Sequence, residues 1–495
     1  MMRSKLLYPF LFFLSLGLTP LWADDSSLFT RNDLRVGGEI VGKIYEDVNG
    51  DSLIDILVFY KEGEDENLKR MVGYFRQQTG SVFDTIPNQV FELDKKASVV
   101  DLADVDKDGK KELLFLAEDG VYYYSLEGES FNLKPIPLFS TTGFLSSPEE
   151  KVMIWDFYPE LKNKNEMVIV PQKKGYDIWT RPDPKEFVLN GKLSFKPDIS
   201  LYGSSGELDQ NRGLIHLSYE IPSMIFSDYD QDGKEDILLL DKDQMYVFLS
   251  KADGFFQEQA DKVVALKAKG KEEEQEVKID DVNGDGIIDL ILNESTGDLE
   301  KGGKTKINIY LGKKGEGFRL DSPHQTISSE KEQSEVWFND LDKDGNKEMI
   351  MPSWGFSVGS FVKLLFSKSA KFNVYIRSLR ENDTYPYLPN REMKLSVKVS
   401  LGSSSDDNQA LDFSGDFNGD GLNDFYFVGG EKVMKFYLGR KGDFFADKPQ
   451  HEMGIDIPAG GPKIIDLNND GKSDLIFSPK KKELKGKIVI LFSKM

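Results

Sequence analysis

The chain has 495 residues, with 63 basic and 84 acidic side chains and a formal charge of −21. Such acidity argues against a partner held through a basic surface, nucleic acid above all. There is no cysteine, and the three histidines, His216, His324 and His451, are scattered. Disulfides, thiolate sites and cysteine nucleophiles are therefore excluded and a polyhistidine centre is disfavoured, which leaves the oxygen chemistry of hard cations.

The first residues read as an address. Arg3 and Lys5 precede an apolar run from Leu6 to Leu18, and Leu21-Trp22-Ala23 is followed by Asp24-Asp25. This resembles a secretory signal peptide cleaved after Ala23. The alternative is an uncleaved anchor, because the stretch to Ala23 approaches spanning length. With cleavage, residues 24–495 form the mature protein, which has no transmembrane span and is secreted, periplasmic or at the cell surface.

One phrase then recurs along the chain. It places oxygen-bearing residues at positions 1, 3, 5 and 9. The copies are Asp47, Asn49, Asp51, Asp55; Asp104, Asp106, Asp108, Glu112; Asp228, Asp230, Asp232, Asp236; Asp281, Asn283, Asp285, Asp289; Asp340, Asp342, Asp344, Glu348; Asp416, Asn418, Asp420, Asp424; and Asp466, Asn468, Asp470, Asp474. Position 6 is glycine in six copies and Ser52 in the first. Short carboxylates at 1, 3 and 5 converge on one ion only where the backbone curls, and glycine eases that turn. Position 9 is expected to close the cage. Up to seven Ca²⁺ ions are implied, and the acidity is absorbed largely by the protein's own loops. An eighth copy, Asp156 to Glu166, is longer and lacks the alternating ligands; it reads as an ordinary turn.

The flanks are strand-like rather than helical, which separates these loops from EF-hands. SVVDLADV precedes one loop and ELLFLAED follows it; DILLLDKD, DLILNEST, EMIMPSW, DFYFVGG and DLIFSPK occupy the same place elsewhere. A third apolar run comes next, as in GVYYYSLEG and KINIYLGKKGEG. A fourth is expected to start at an aromatic marker: Phe83, Phe131, Phe187, Phe255, Phe318, Phe372 or Phe444. Each unit is thus a four-stranded antiparallel sheet, and stacked copies bury both faces. The expected fold is all-β, a β-propeller of eight four-stranded blades, with seven blades plus a cap as the alternative. The last unit runs out after three strands. Its fourth is expected from the N-terminus, the segment Phe29 to Val36 adding to the strand that contains Ile490.

The phrase D-x-[DN]-x-D-G-x-x-[DE] between apolar strands resembles the FG-GAP or VCBS repeat of integrin α-type propellers and of many bacterial exported proteins. That resemblance implies calcium ligation by the four residues of each copy. It covers nearly all of the mature chain, read as one domain over 24–495. Longer connections are expected at 188–227 and 373–415, where Trp179, Trp354, Tyr385 and Tyr387 are candidate interface or packing aromatics. No G-x-S-x-G, H-E-x-x-H or P-loop sequence is present. No catalytic residue is assigned. The leading expectation is a calcium-binding module for protein or glycan partners at the cell envelope. The alternatives are a calcium-dependent polysaccharide lyase or other carbohydrate-active enzyme, and a scaffold subunit of an envelope complex.

Overall fold

The computed structural model describes residues 28–495 except 64–66, 144, 146–151, 162–165, 184–185, 196–197, 205–213, 221, 242–243, 252–253, 267–273, 297–302, 356–368, 399–408, 431, 456–460 and 480–483. The expected signal peptide lies outside the described residues. Apolar runs bounded by turn residues become the strands of an eight-bladed β-propeller. Blade 1 shows the plan: Glu39–Glu46, Asp55–Glu62, Lys69–Phe75 and Gln89–Glu92 pair antiparallel in chain order. The second strand of each blade is the most completely buried, as in Asp424–Gly429, where every residue is buried. It packs between two neighbouring sheets.

The ring closes as the phase of the repeat requires. Blade 8 holds Lys463–Ile465, Asp474–Phe477 and Lys487–Ser493, and Phe29–Arg35 adds as its outer strand, with Phe29 opposite Ser493 and Arg35 opposite Lys487. The seam to blade 1 is then sealed by apolar packing of Leu34, Ile488 and Ile490 with Ile56, Val58 and Phe83. Asn32 completes it by exchanging two side-chain hydrogen bonds with the backbone of Phe83. The N-terminal strand thereby satisfies an edge that otherwise exposes a row of unpaired backbone groups.

Most of the aromatic markers sit elsewhere than expected; Phe187 is at the start of a fourth strand, as the sequence predicts. Phe83, Phe131, Phe318 and Phe444 precede the fourth strand by five to seven residues, in or beside the turn after the third strand. Phe372 lies inside the third strand of blade 6, Ser369–Arg377, and Tyr385 occupies the marker position there, six residues before Arg391–Lys398. Phe187 lies in the fourth strand of blade 3, and Phe255 is 47% exposed while Phe256 is buried in its place. The reason is packing: the marker plugs onto position 2 of the preceding blade's loop. Phe131 joins Val48, Phe318 joins Tyr229, Tyr385 joins Val282, and Phe444 with Phe445 joins Leu341 in common clusters.

Two places depart from the regular plan. In blade 3 the inner strand is reduced to Met153–Ile154. It pairs parallel with Val99–Val100 of blade 2 instead of with its own sheet, which keeps three strands. Between blades 5 and 6 no turn intervenes. The strand Gln325–Ser334 begins as the outer strand of blade 5, and its last three residues pair with Ser353–Gly355 of blade 6. Of the two segments read as long connections, 188–227 contains an additional hairpin, Asp198–Ser204 with Leu214–Glu220, and 373–415 contains the fourth strand of blade 6.

Candidate metal centres

Each loop joins the end of an inner strand to the start of a second strand, so the loops share one rim. In all seven, the position 1 carboxylate accepts the N–H of position 6, at 2.8 Å for Asp47 and Asp416 and 3.1 Å for Asp340. The position 5 carboxylate accepts the N–H of position 7, as Asp51 does from Leu53 at 2.9 Å. This curl needs two left-handed residues. Position 6 is one, with φ of 88° at Gly109 and 69° at Ser52. Position 4 is the other, and the sequence gives no hint of it where Lys107, Gln231, Lys343 and Asn469 adopt φ between 56° and 65°. A non-glycine residue there costs on the order of 1–2 kcal/mol, which the closed loop must offset.

The first ligand positions converge. Carboxylate oxygens of Asp104, Asp106 and Asp108 lie within 4.8 Å of one another, as do those of Asp228, Asp230 and Asp236 and those of Asp340, Asp342 and Asp344. Oxygens so spaced can share one ion at the 2.3–2.6 Å that calcium prefers. Where position 3 is asparagine, its amide donates to the position 5 carboxylate, at 2.9 Å from Asn49 to Asp51 and 3.0 Å from Asn418 to Asp420. Asn283 and Asn468 do the same. Among the described residues, Asp281 Oδ1 and Asp342 Oδ1 are buried without a hydrogen-bond partner. The donor set is hard oxygen throughout and these two oxygens lack a counterpart, so the loops fit a hard divalent cation.

Position 9 has a second occupation. Asp55, Glu112, Asp236, Asp289, Glu348, Asp424 and Asp474 are all at most 1% exposed. Asp424 accepts the N–H of Phe417, position 2 of its own loop, at 2.7 Å, and that of Gly439, beyond the third strand, at 2.6 Å. Asp236, Asp289 and Asp474 repeat both bonds. The residue is thus a strut beneath the loop, and in the third intact copy Asp236 is also one of the converging carboxylates. Burial pushes Asp55 and Asp236 up to about 6, Glu112, Asp289, Asp424 and Asp474 up to about 7, and Glu348 up to about 8. A neighbouring divalent cation opposes that push.

Main-chain bonds tie the loops into a belt. The N–H of position 8 donates to the position 2 carbonyl of the preceding loop: Ile54 to Leu467, Lys111 to Val48, Lys347 to Val282 and Asn423 to Leu341. At blade 3 an arginine takes this role. Arg181 Nη2 donates to Val105 O at 2.5 Å, and its guanidinium grips Glu166 in a two-point ion pair. Tyr158 Oη and Lys107 Nζ also hold Glu166. Glu166 stands directly before the second strand, next to the place where the intact copies have position 9 as its first residue.

The other candidates have structural places. Trp179 stacks on Phe139 and Trp354 on Phe372, Tyr385 is buried, and Tyr387 is 84% exposed. His324 Nε2 meets Asp383 O at 3.0 Å. Among the described residues no helix is long and apolar enough to cross a membrane.

Comparison with known proteins agrees with the repeat. The FG-GAP-like repeat model matches residues 416–477, from the loop of blade 7 to the second strand of blade 8. No curated protein matches the sequence. Similar solved structures include an Agrocybe aegerita lectin described as recognising non-reducing terminal N-acetylglucosamine, at 15% identity and a TM-score of 0.41, covering 93% of this chain and 98% of that one. The Vibrio cholerae biofilm matrix protein Bap1 is similar at 12% identity and a TM-score of 0.29, covering 93% and 88%. The Photorhabdus luminescens Tc holotoxin pore is similar at 13% identity and 0.31, covering 90% of this chain and 17% of that one. The chain is an eight-bladed β-propeller that carries an FG-GAP-like repeat in its last two blades.

Proposed function

We propose that this chain is an exported, calcium-stabilised propeller that serves as a protein- or glycan-interaction module at the cell envelope. The observation that carries the reading is the belt of oxygen-rich loops on one rim, with three groups of converging carboxylates and the unpartnered oxygens of Asp281 and Asp342. Calcium would be held by positions 1, 3 and 5 of each loop, with position 9 below. Bound there, the ion supplies charge and cross-linking rather than chemistry on a substrate. The specialised residues of the rim then serve the fold, and the remaining surface is left for partners.

Calorimetry tests the metal. A ligand bound only by the folded state at 100 times its Kd adds about 2.7 kcal/mol per site. Excess chelator is therefore expected to lower Tm by many degrees, with recovery on adding calcium and little recovery with magnesium, which demands a tighter octahedron. A melting curve unchanged by chelator overturns the calcium reading. Capture of envelope proteins and a glycan array, both run in calcium, test the module. Mass spectrometry of the protein from its native envelope is expected to find Asp24 as the first residue.

A further inference from the structure

A cavity of about 470 Å³ opens where blades 5 and 6 share a strand. It is lined by Gln275 and Glu276, Asn293 and Ser295, Gln333, Ser334 and Glu335, and Trp354. These residues come from the start of the inner strand of blade 5, the ends of the second strands of blades 5 and 6, and the crossover between the blades. The metal loops connect the opposite ends of the same strands, so the cavity belongs to the other rim. We propose that it is a saccharide site that takes a neutral, hydroxylated ring. This rests on the reading of the chain as an interaction module and narrows it to one place and one ligand class.

The floor of the cavity is built and rigid. Asn293 is 4% exposed, and its Nδ2 donates to Ser334 O at 3.2 Å and to Glu276 Oε2 at 3.4 Å. Ser334 is held in turn by Thr305, which accepts its N–H at 2.8 Å, and by the Ser353 hydroxyl at 2.6 Å. Asn293 Oδ1 is buried with no partner among the described residues. An acceptor left so costs about 1–3 kcal/mol. A side-chain adjustment that turned this shielded oxygen to a ligand hydroxyl would relieve that cost.

The lining selects among ligands. Five of its eight side chains, Gln275, Asn293, Ser295, Gln333 and Ser334, are uncharged hydrogen-bonding groups. Among the described residues no cationic side chain lines it and two carboxylates do, so an anionic ligand meets repulsion from these. Glu276 is already paired with Lys278 at 3.2 Å, which lowers the demand for a cationic ligand. Trp354, backed by Phe372 at 4.3 Å between ring centroids, supplies the apolar wall against which the C–H face of a sugar ring packs. An aromatic wall with a few fixed polar groups, in a cavity of this volume, is the usual make-up of a small-molecule site.

The test is saturation-transfer NMR and isothermal titration on the full chain in calcium. The probes are cellobiose, lactose, maltose and N,N′-diacetylchitobiose, with glucosamine and glucuronic acid as charged counter-probes. At least one neutral disaccharide is expected to bind, at least tenfold more weakly in Asn293→Leu and in Gln333→Ala. Gln333 is only partly buried, so Gln333→Ala keeps the parent melting curve and separates binding from folding. No binding by any neutral probe, or binding by a charged probe alone, overturns the proposal. So does neutral binding that both variants leave intact, an outcome that spares the interaction-module reading and moves the glycan elsewhere. Loss of that wider reading needs a different result: no glycan on the array and no envelope protein captured.

Discussion

Blade 3 and blade 7 solve the same junction problem with different chemistry. In blade 7 the loop curls on its own carboxylates, Asp424 props it from beneath, and Asn423 N–H reaches the carbonyl of Leu341 in blade 6. In blade 3 the alternating ligands are gone, and Arg181 bonds the equivalent carbonyl, Val105 O, while pairing with Glu166. The blade's inner strand has also moved to blade 2, where Asp101 accepts the N–H groups of Phe157 and Tyr158 at 2.8 and 2.9 Å. A covalently tethered guanidinium thus supplies the bridge that its neighbours make with the position 8 N–H. On the proposed calcium reading, the intact loops draw their cation from solution and their stability depends on the medium, whereas blade 3 carries its cation on its own sheet and its stability does not.

The largest effect that would sharpen this contrast is expected from Arg181→Ala. Its side chain is 10% exposed and that of Glu166 is 9%, so the change leaves a buried carboxylate with a weakened partner set. Losing one partner of a buried pair costs about 3–5 kcal/mol. Urea unfolding should show this loss equally with calcium and with chelator; a loss that appears only in one medium breaks the comparison. An effect of the same order is expected from Asp424→Ala, which strands the N–H groups of Phe417 and Gly439 at about 1–3 kcal/mol each. In chelator it should exceed the effect of Asp420→Ala, whose carboxylate is exposed. Equal costs would deny the strut role.

The third effect concerns pH. Burial, with Asp156 nearby, pushes Asp101 up to about 8 from an ordinary value of 3.8. The folded state then binds more protons than the unfolded one, so the contribution of Asp101 to stability is flat below about pH 3.8 and declines as pH rises towards 8. Asp101→Asn should flatten the pH dependence of unfolding in that window. A slope identical to the parent's would show that Asp101 is ionised in the fold at little cost.

Much of the architecture is legible without coordinates. Oxygen ligands at alternate positions, glycine at position 6 and the strand-length apolar runs on either side are signals carried within a dozen residues. Repetition turns them into eight blades. The closure by Phe29–Arg35 follows from phase, because the last unit ends after its third strand and the first begins with a spare one. The candidate ligands are equally local, and positions 1, 3 and 5 curl as their spacing requires. The structure alone shows what reaches between units. Markers such as Phe131, Phe318 and Phe444 belong near turns because they plug the loop of the preceding blade. Position 9 is a strut because it bonds two N–H groups far apart in its unit, one in its own loop and one beyond the third strand, that the folded blade brings to the same rim. Arg181, 76 residues from Val105, and the cavity beside Asn293 arise where two sheets meet. The identity of a partner across a sheet boundary is set by packing and desolvation rather than by local backbone preference, and no pattern of period two or of loop spacing records it.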